Sequence, residues 1–158
     1  MPKRDVFAEL SVDEIKALGS DCVPELLAVV EARADAHDTS FGKIARKLPD
    51  GWRQILMAAH AVEAIEDTDC FAGAFYDIRR TKDVVALETF FKEIGATEMA
   101  RQLQYAREQT NVLVDEDMDP LEIEELRDIR PDDLALGSVR AAITKRASSM
   151  AKPFPPAD

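Results

Sequence analysis

The spacing of hydrophobic residues is the feature of this chain that most limits its fold. Apolar side chains recur at intervals of three and four residues almost throughout, rather than at every second residue. The clearest segment runs from Trp52 to Ile65, where about four helical turns would carry one continuous apolar face. The spacing therefore predicts an all-α helical bundle of about seven to nine helices.

Local signals predict where several of these helices begin and end. Ser11 and Glu14 form the Ser-x-x-Glu pattern of a capping box, and Gly19 stands where a left-handed residue would end the short helix that follows. Gly95 has the same expected role further along the chain, directly before a new apolar period. The segments on either side of Gly95 are therefore expected to form a tight helical hairpin.

Polar residues and prolines predict further boundaries in the second half. Residues 79–82 are predicted to be a loop, with Asp83 as the cap of the next helix. Asp119-Pro120 is expected to begin a helix that continues through Ile129, and Pro131 to open the last helix.

Length and terminal composition predict one domain with a short tail. A chain of 158 residues is long enough to bury a core by itself. Residues 1–151 are expected to form a single all-α domain, and residues 152–158, which include three prolines, a flexible C-terminal tail.

The start of the chain and its cysteines indicate a compartment. The first ten residues lack the apolar core of a signal peptide, and charged residues interrupt every hydrophobic run before it reaches membrane-spanning length. We therefore expect a cytoplasmic protein that does not associate with membranes, in which Cys22 and Cys70 stay reduced.

Acidic residues are concentrated between Asn111 and Leu134, where ten acidic and only two basic side chains occur. The formal net charge of −11 disfavours nucleic acid and anionic membrane as partners and favours a basic protein. We call these ten carboxylates the acidic run and interpret them as a partner-binding surface. The candidate residues are Asp115, Glu116, Asp117, Asp119, Glu122, Glu124, Glu125, Asp128, Asp132 and Asp133.

A second interpretation of the acidic run is structural. Asp119 with Glu122 also has the spacing of a helix cap, and Asp132-Asp133 would complement the positive N-terminal end of the last helix. Acidic helix faces are most often only solvated surface, so this alternative stays open beside the binding role.

Several positions between Ile65 and Gln109 follow a pattern of aromatic residues and a helix break. They are Phe71, the pair Phe75-Tyr76 followed by Asp77, and Ile94-Gly95-Ala96. In these positions the segment resembles the DNA-mimic-protein-nineteen-like domain family of small, acidic, helical bacterial proteins, which has Asn in place of Asp77. The chain departs from the family at Asp69-Cys70, where two glycines are usual.

The resemblance implies a helical bundle, often dimeric, that imitates DNA toward a DNA-binding protein. Duplex DNA carries one charge per roughly 1.7 Å of axis, and side chains three or four positions apart on a helix have Cβ atoms about 5–6 Å apart. Glu122 with Glu125, or Glu124 with Asp128, could therefore form a comparable row of anions. Phe90 lies one residue off its helix's apolar face, so we expect it to be exposed and suited to a homodimer contact.

Sequence motifs indicate no catalytic, cofactor-binding or metal-binding residues, and the chain is predicted to be non-enzymatic. Asp115, Asp117 and Asp119 have the spacing of a calcium loop, but Pro120 occupies the position that requires glycine. Two other function classes are kept as alternatives: an immunity or antitoxin protein that neutralises a basic toxin, and a small enzyme of unrecognised type. The enzyme would require a pocket in which His60, Glu63 or Asp67 has a strongly perturbed pKa.

Overall fold

The computed structural model describes residues 10–77, 81–109, 128–150 and 152–156. In these residues the chain forms eight α-helices and one 3-10 helix, and no strand. The elements are α1 (Val12–Leu18), the 3-10 helix (Gly19–Asp21), α2 (Cys22–Ala36), α3 (Phe41–Arg46), α4 (Trp52–Thr68), α5 (Ala72–Asp77), α6 (Thr81–Glu93), α7 (Thr97–Gln109) and α8 (Asp133–Ser148). The all-α prediction is confirmed. None of the described helices combines the length and apolar character needed to cross a membrane.

The predicted capping box of α1 is present, as are the glycines predicted to end α1 and α6. The Glu14 N–H donates to Ser11 Oγ at 3.1 Å, and the Ser11 N–H donates to Glu14 Oε1 at 3.3 Å, which completes the capping box. Gly19 and Gly95 have positive φ angles of 56° and 88°. Gly95 separates α6 from α7, as expected of a helical hairpin, and the Ala96 N–H donates to Phe91 O at 2.7 Å across the turn.

Two predicted helix starts are wrong by two or three residues. Helix α6 begins at Thr81, so Thr81 and Lys82 are helical and Asp83 lies in the first turn, where its charge favours the helix N-terminus. Helix α8 begins at Asp133 rather than at Pro131, because the Asp132 side chain accepts the N–H of Leu134 at 3.1 Å and caps the helix. The helix expected from Asp119 to Ile129 lies almost wholly outside the described residues.

Residue contacts divide the chain into two compact units. We call residues 1–57 with 143–158 the terminal unit, and residues 58–142 the middle unit. Their boundaries fall inside α4 and inside α8. The expectation of a single domain stays a prediction.

The core of the terminal unit includes part of the expected flexible tail. Phe154 is completely buried and bridges Leu10, and its ring packs edge-on against Trp52 with centroids 5.7 Å apart. Arg33 Nη2 donates to Pro155 O at 2.7 Å, and its guanidinium lies 4.7 Å from the Phe154 ring centroid. Phe154 thus anchors this part of the expected tail in the core, and burying one Phe side chain contributes about 1.5–3 kcal/mol.

The core of the middle unit is centred on the α6–α7 hairpin. Phe90 and Phe91 are both buried, so the expected exposure of Phe90 and its role as a dimer contact are wrong. The buried residues of α6 are Val84, Leu87, Glu88, Phe90 and Phe91, so its inward face is wider than the stripe that the apolar spacing marked. Glu88, which is also buried, forms a two-bonded ion pair with Arg107 of α7 at 2.7 and 3.1 Å.

Candidate functional site

The net negative charge of the chain lies entirely in the middle unit. Residues 58–142 contain 20 acidic and 9 basic side chains, a formal charge of −11. The terminal unit contains 11 acidic and 11 basic side chains and is formally neutral. The long-range attraction that net charge gives this protein for a cationic partner therefore comes from the middle unit.

The acidic run falls partly within the described residues. Three of its carboxylates, Asp128, Asp132 and Asp133, are described and all three are exposed. The others lie outside the described residues: Asp115, Glu116, Asp117, Asp119, Glu122, Glu124 and Glu125.

Two backbone hydrogen bonds fix the end of the acidic run within the middle unit. The Phe71 N–H, directly before α5, donates to Ile129 O at 3.0 Å. The Asp132 N–H donates to Gln102 Oε1 of α7 at 3.3 Å. These bonds hold residues 129–132 against two helices of the unit and so position the exposed carboxylates on either side.

The structural interpretation is supported for two of these acids. Asp132 caps α8, and Asp133 lies in its first turn, where a carboxylate is favoured by the helix dipole. Both side chains are nevertheless exposed, so their charge still contributes to the surface potential. Asp128 precedes the helix by several residues and has no capping role in α8.

The arginines described in the middle unit pair with acids outside the acidic run. Arg107 bonds the buried Glu88, and Arg130 lies 3.6 Å from Asp69. The remaining two pairs are Arg101 with Glu98 and Arg140 with Glu66. These four cations are therefore used within the unit, and with 20 acids against 9 bases its surplus of negative charge remains.

The described residues of the middle unit include three exposed large apolar side chains, Val85, Tyr105 and Leu134, for which the apolar spacing predicted no role. Leu134, in the first turn of α8, is 81% exposed, and Tyr105 of α7 is 51% exposed. Tyr105 follows Gln102, which accepts the Asp132 N–H, by three positions, or about one helical turn of α7. The sequence signal that could have predicted the exposure of Leu134 is its position outside the inward face of α8, which includes Leu136 and Val139.

Residues considered for an enzyme lie along α4. His60 is half-buried, and Glu63 and Asp67 are exposed. Within residues 10–77, 81–109, 128–150 and 152–156, no three His, Cys, Asp or Glu side chains are grouped to hold a metal ion.

Both cysteines are buried and form no disulfide. Burial raises the pKa of Cys22 above its ordinary value, which suppresses the reactive thiolate, although Ser148 Oγ lies 3.9 Å from the sulfur.

Comparison of the chain with protein-family profiles, curated proteins and solved structures found no match. The resemblance of residues 65–109 to the DNA-mimic family therefore stays a prediction. One local observation bears on it. Asp69 has a φ angle of 52°, a conformation that glycine adopts most readily, at a position where that family usually has glycine.

Proposed function

We propose that this protein is a non-enzymatic binding module that captures a basic protein through its middle unit. The sharpest form of the proposal is a DNA mimic, whose partner is a DNA-binding protein held by its phosphate-contacting surface. The observation that carries the proposal is the confinement of the whole net charge of −11 to residues 58–142.

Electrostatics explains why such a unit would be selective for a DNA-binding surface. Proteins that contact duplex DNA place Lys and Arg against anions spaced by roughly 1.7 Å of helix axis. Exposed carboxylates such as Asp128, Asp132 and Asp133 offer anions to the same side chains. Attraction of this kind accelerates association and weakens steeply with salt.

Exposed apolar groups support a protein partner of defined shape. Leu134 directly follows Asp132 and Asp133, and Tyr105 is exposed on α7, whose Gln102 accepts the Asp132 N–H. Aromatic and aliphatic anchors surrounded by polar residues are the usual energetic centre of a protein interface. The left-handed backbone of Asp69 is compatible with the DNA-mimic form, because glycine, which the resemblance implies at this position, adopts the same conformation.

The test is an affinity capture from native cytoplasm at low and high salt, followed by competition with duplex DNA. We expect a basic DNA-binding protein to be captured at low salt, released at high salt and displaced by the duplex. Recovery of a basic toxic nuclease instead would assign the immunity function.

Charge reversal identifies the surface. Changing Glu122, Glu124, Glu125 and Asp128 to Lys should abolish capture while circular dichroism shows unchanged helix content. The matched control reverses four exposed acids of the terminal unit, Asp13, Asp21, Glu31 and Asp35, and should retain the partner. Equal capture by both variants would refute the assignment to the middle unit.

A further inference from the structure

The terminal unit contains a half-open cavity of about 230 Å³ that plays no part in the proposed function. It lies where the end of α2 and the end of α3 meet the C-terminal segment. The lining residues are Arg33, His37, Ile44, Lys47, Leu48, Pro49, Pro155 and Pro156.

Positive groups form one part of the lining, and among the residues that the structure describes no acidic side chain lines the cavity. Arg33 is buried, and its guanidinium is held in place by the bond to Pro155 O and by the Phe154 ring. His37 and Lys47 are exposed, and they follow the last turns of α2 and α3. A fixed guanidinium with a nearby ammonium and imidazole is a combination that suits a carboxylate or phosphate group.

Apolar groups form the rest of the lining. Ile44 and Leu48 are buried side chains of the α3 region, and three prolines complete the wall. We propose that this cavity binds a small organic anion. Its carboxylate or phosphate group is held by Arg33, His37 and Lys47, and its apolar body lies against Ile44, Leu48 and the prolines.

Volume and charge limit the ligand further. Cavities for drug-sized ligands measure about 300–1,000 Å³, so the occupant of this cavity is smaller. The terminal unit carries as many basic as acidic side chains, and it does not share the negative charge that excludes anions from the middle unit.

The structure also supplies a reporter for binding. Trp52 is the single tryptophan of the chain and packs on Phe154, which directly precedes the two prolines of the cavity wall. A ligand seated against Pro155 and Pro156 should therefore change the fluorescence of Trp52.

The experiment titrates the intact protein with four probes, monitored by Trp52 fluorescence and by calorimetry. Phenyl phosphate and hexanoate are organic anions, inorganic phosphate is an anion without an apolar body, and hexanol is an apolar body without charge. We expect saturable binding of at least one organic anion, binding of inorganic phosphate at least tenfold weaker, and none of hexanol. The tighter of the two organic anions identifies the preferred group.

Matched lysine variants locate the site. Lys47→Ala should weaken binding of the organic anion by about tenfold, as expected when one charged hydrogen-bond donor is lost. Lys43→Ala removes an exposed lysine from the same helix but outside the cavity, and should leave the affinity unchanged. Arg33→Lys keeps the positive charge of the wall but loses the planar fork of donors, and should also weaken binding.

Two results would overturn the proposal: no saturable binding of either organic anion, or equal weakening by Lys47→Ala and Lys43→Ala. Because the probes require no partner protein, either result leaves the proposed function of the middle unit standing.

Discussion

Single carboxylates in this acidic protein differ in what they contact. Asp132 accepts a backbone N–H as a helix cap, whereas Glu98 accepts bonds from two side chains on its own helix. The Arg101 Nε donates to Glu98 Oε2 at 3.1 Å, and the Gln102 Nε2 donates to Glu98 Oε1 at 3.3 Å. These hydrogen bonds lower the pKa of Glu98 to about 2, and the bond from Arg101 has the larger effect.

A titration tests the geometry around Glu98. Because its folded pKa lies below the ordinary value of 4.5, its contribution to stability is present above pH 4.5 and is lost as the pH falls through about 2. The side chains of Glu98 and Arg101 are both exposed, so the contribution of this pair to stability is small. The pKa of Glu98 should therefore be measured directly. NMR of the side-chain carboxyl should give a midpoint near 2, which Arg101→Ala raises toward 4.5 and Lys92→Ala does not change. A midpoint of 4.5 in the unaltered protein would contradict the contacts described.

Pairs of helices are held by interactions that neither helix makes alone. Helices α6 and α7 are joined at one end by the Gly95 turn, and the Glu88–Arg107 pair links them again further along. Glu88 is buried and the Arg107 side chain is 23% exposed, so the pair lies at the edge of the core. The carboxylate also raises the pKa of Arg107 above its ordinary value through their hydrogen bonds.

Removing the carboxylate of this pair should destabilise the hairpin. Glu88→Ala leaves the Arg107 guanidinium partly buried and should lower the free energy of unfolding by about 3 kcal/mol, the lower end of the range for a broken buried pair. Glu93→Ala removes an exposed acid from the same helix and should change it by less than about 0.5 kcal/mol. Urea denaturation measures both variants, and similar values would show that the pair does not hold the hairpin.

Elements were predictable from sequence where their determinants are local. Ser11 with Glu14 and the Gly95 turn act through neighbours a few residues away, so their patterns were sufficient. The burial of Phe90 was not predictable from one helical stripe, because the buried face of α6 is wider than that stripe. Phe154 follows a proline and precedes two more, and its contacts with the distant residues Leu10, Arg33 and Trp52 explain why it is buried.

Charge is distributed unevenly over the molecule, and the sequence predicted only part of this distribution. The acidic run indicated a negative surface, but the neutrality of the terminal unit follows from which segments the fold groups together. Exposure of Leu134 and Tyr105 likewise depends on how α7 meets the start of α8. Composition therefore predicted a negatively charged candidate site, and the fold showed which segments of the chain share that charge.

The C-terminal segment joins the two ends of the chain in the terminal unit, through the bridge between Leu10 and Phe154. Phe154→Ala should lower the free energy of unfolding by about 3–5 kcal/mol, as is usual for a buried aromatic residue, and should expose Trp52 to water. Lys152→Ala, at an exposed position of the same segment, should have little effect. Fluorescence-detected denaturation compares the two variants, and equal midpoints would mean that the segment contributes nothing to the fold.

Crowding of like charges in one unit means that the two units respond differently to ionic strength. Carboxylates of residues 58–142 repel one another, and dissolved ions shorten the reach of that repulsion to about 8 Å at physiological concentration. Added salt should thus reduce the charge repulsion within the middle unit and change the stability of the formally neutral terminal unit little. The same ions weaken the proposed capture of a cationic partner. This protein would therefore bind most tightly at low ionic strength, where the charge repulsion within its middle unit is strongest.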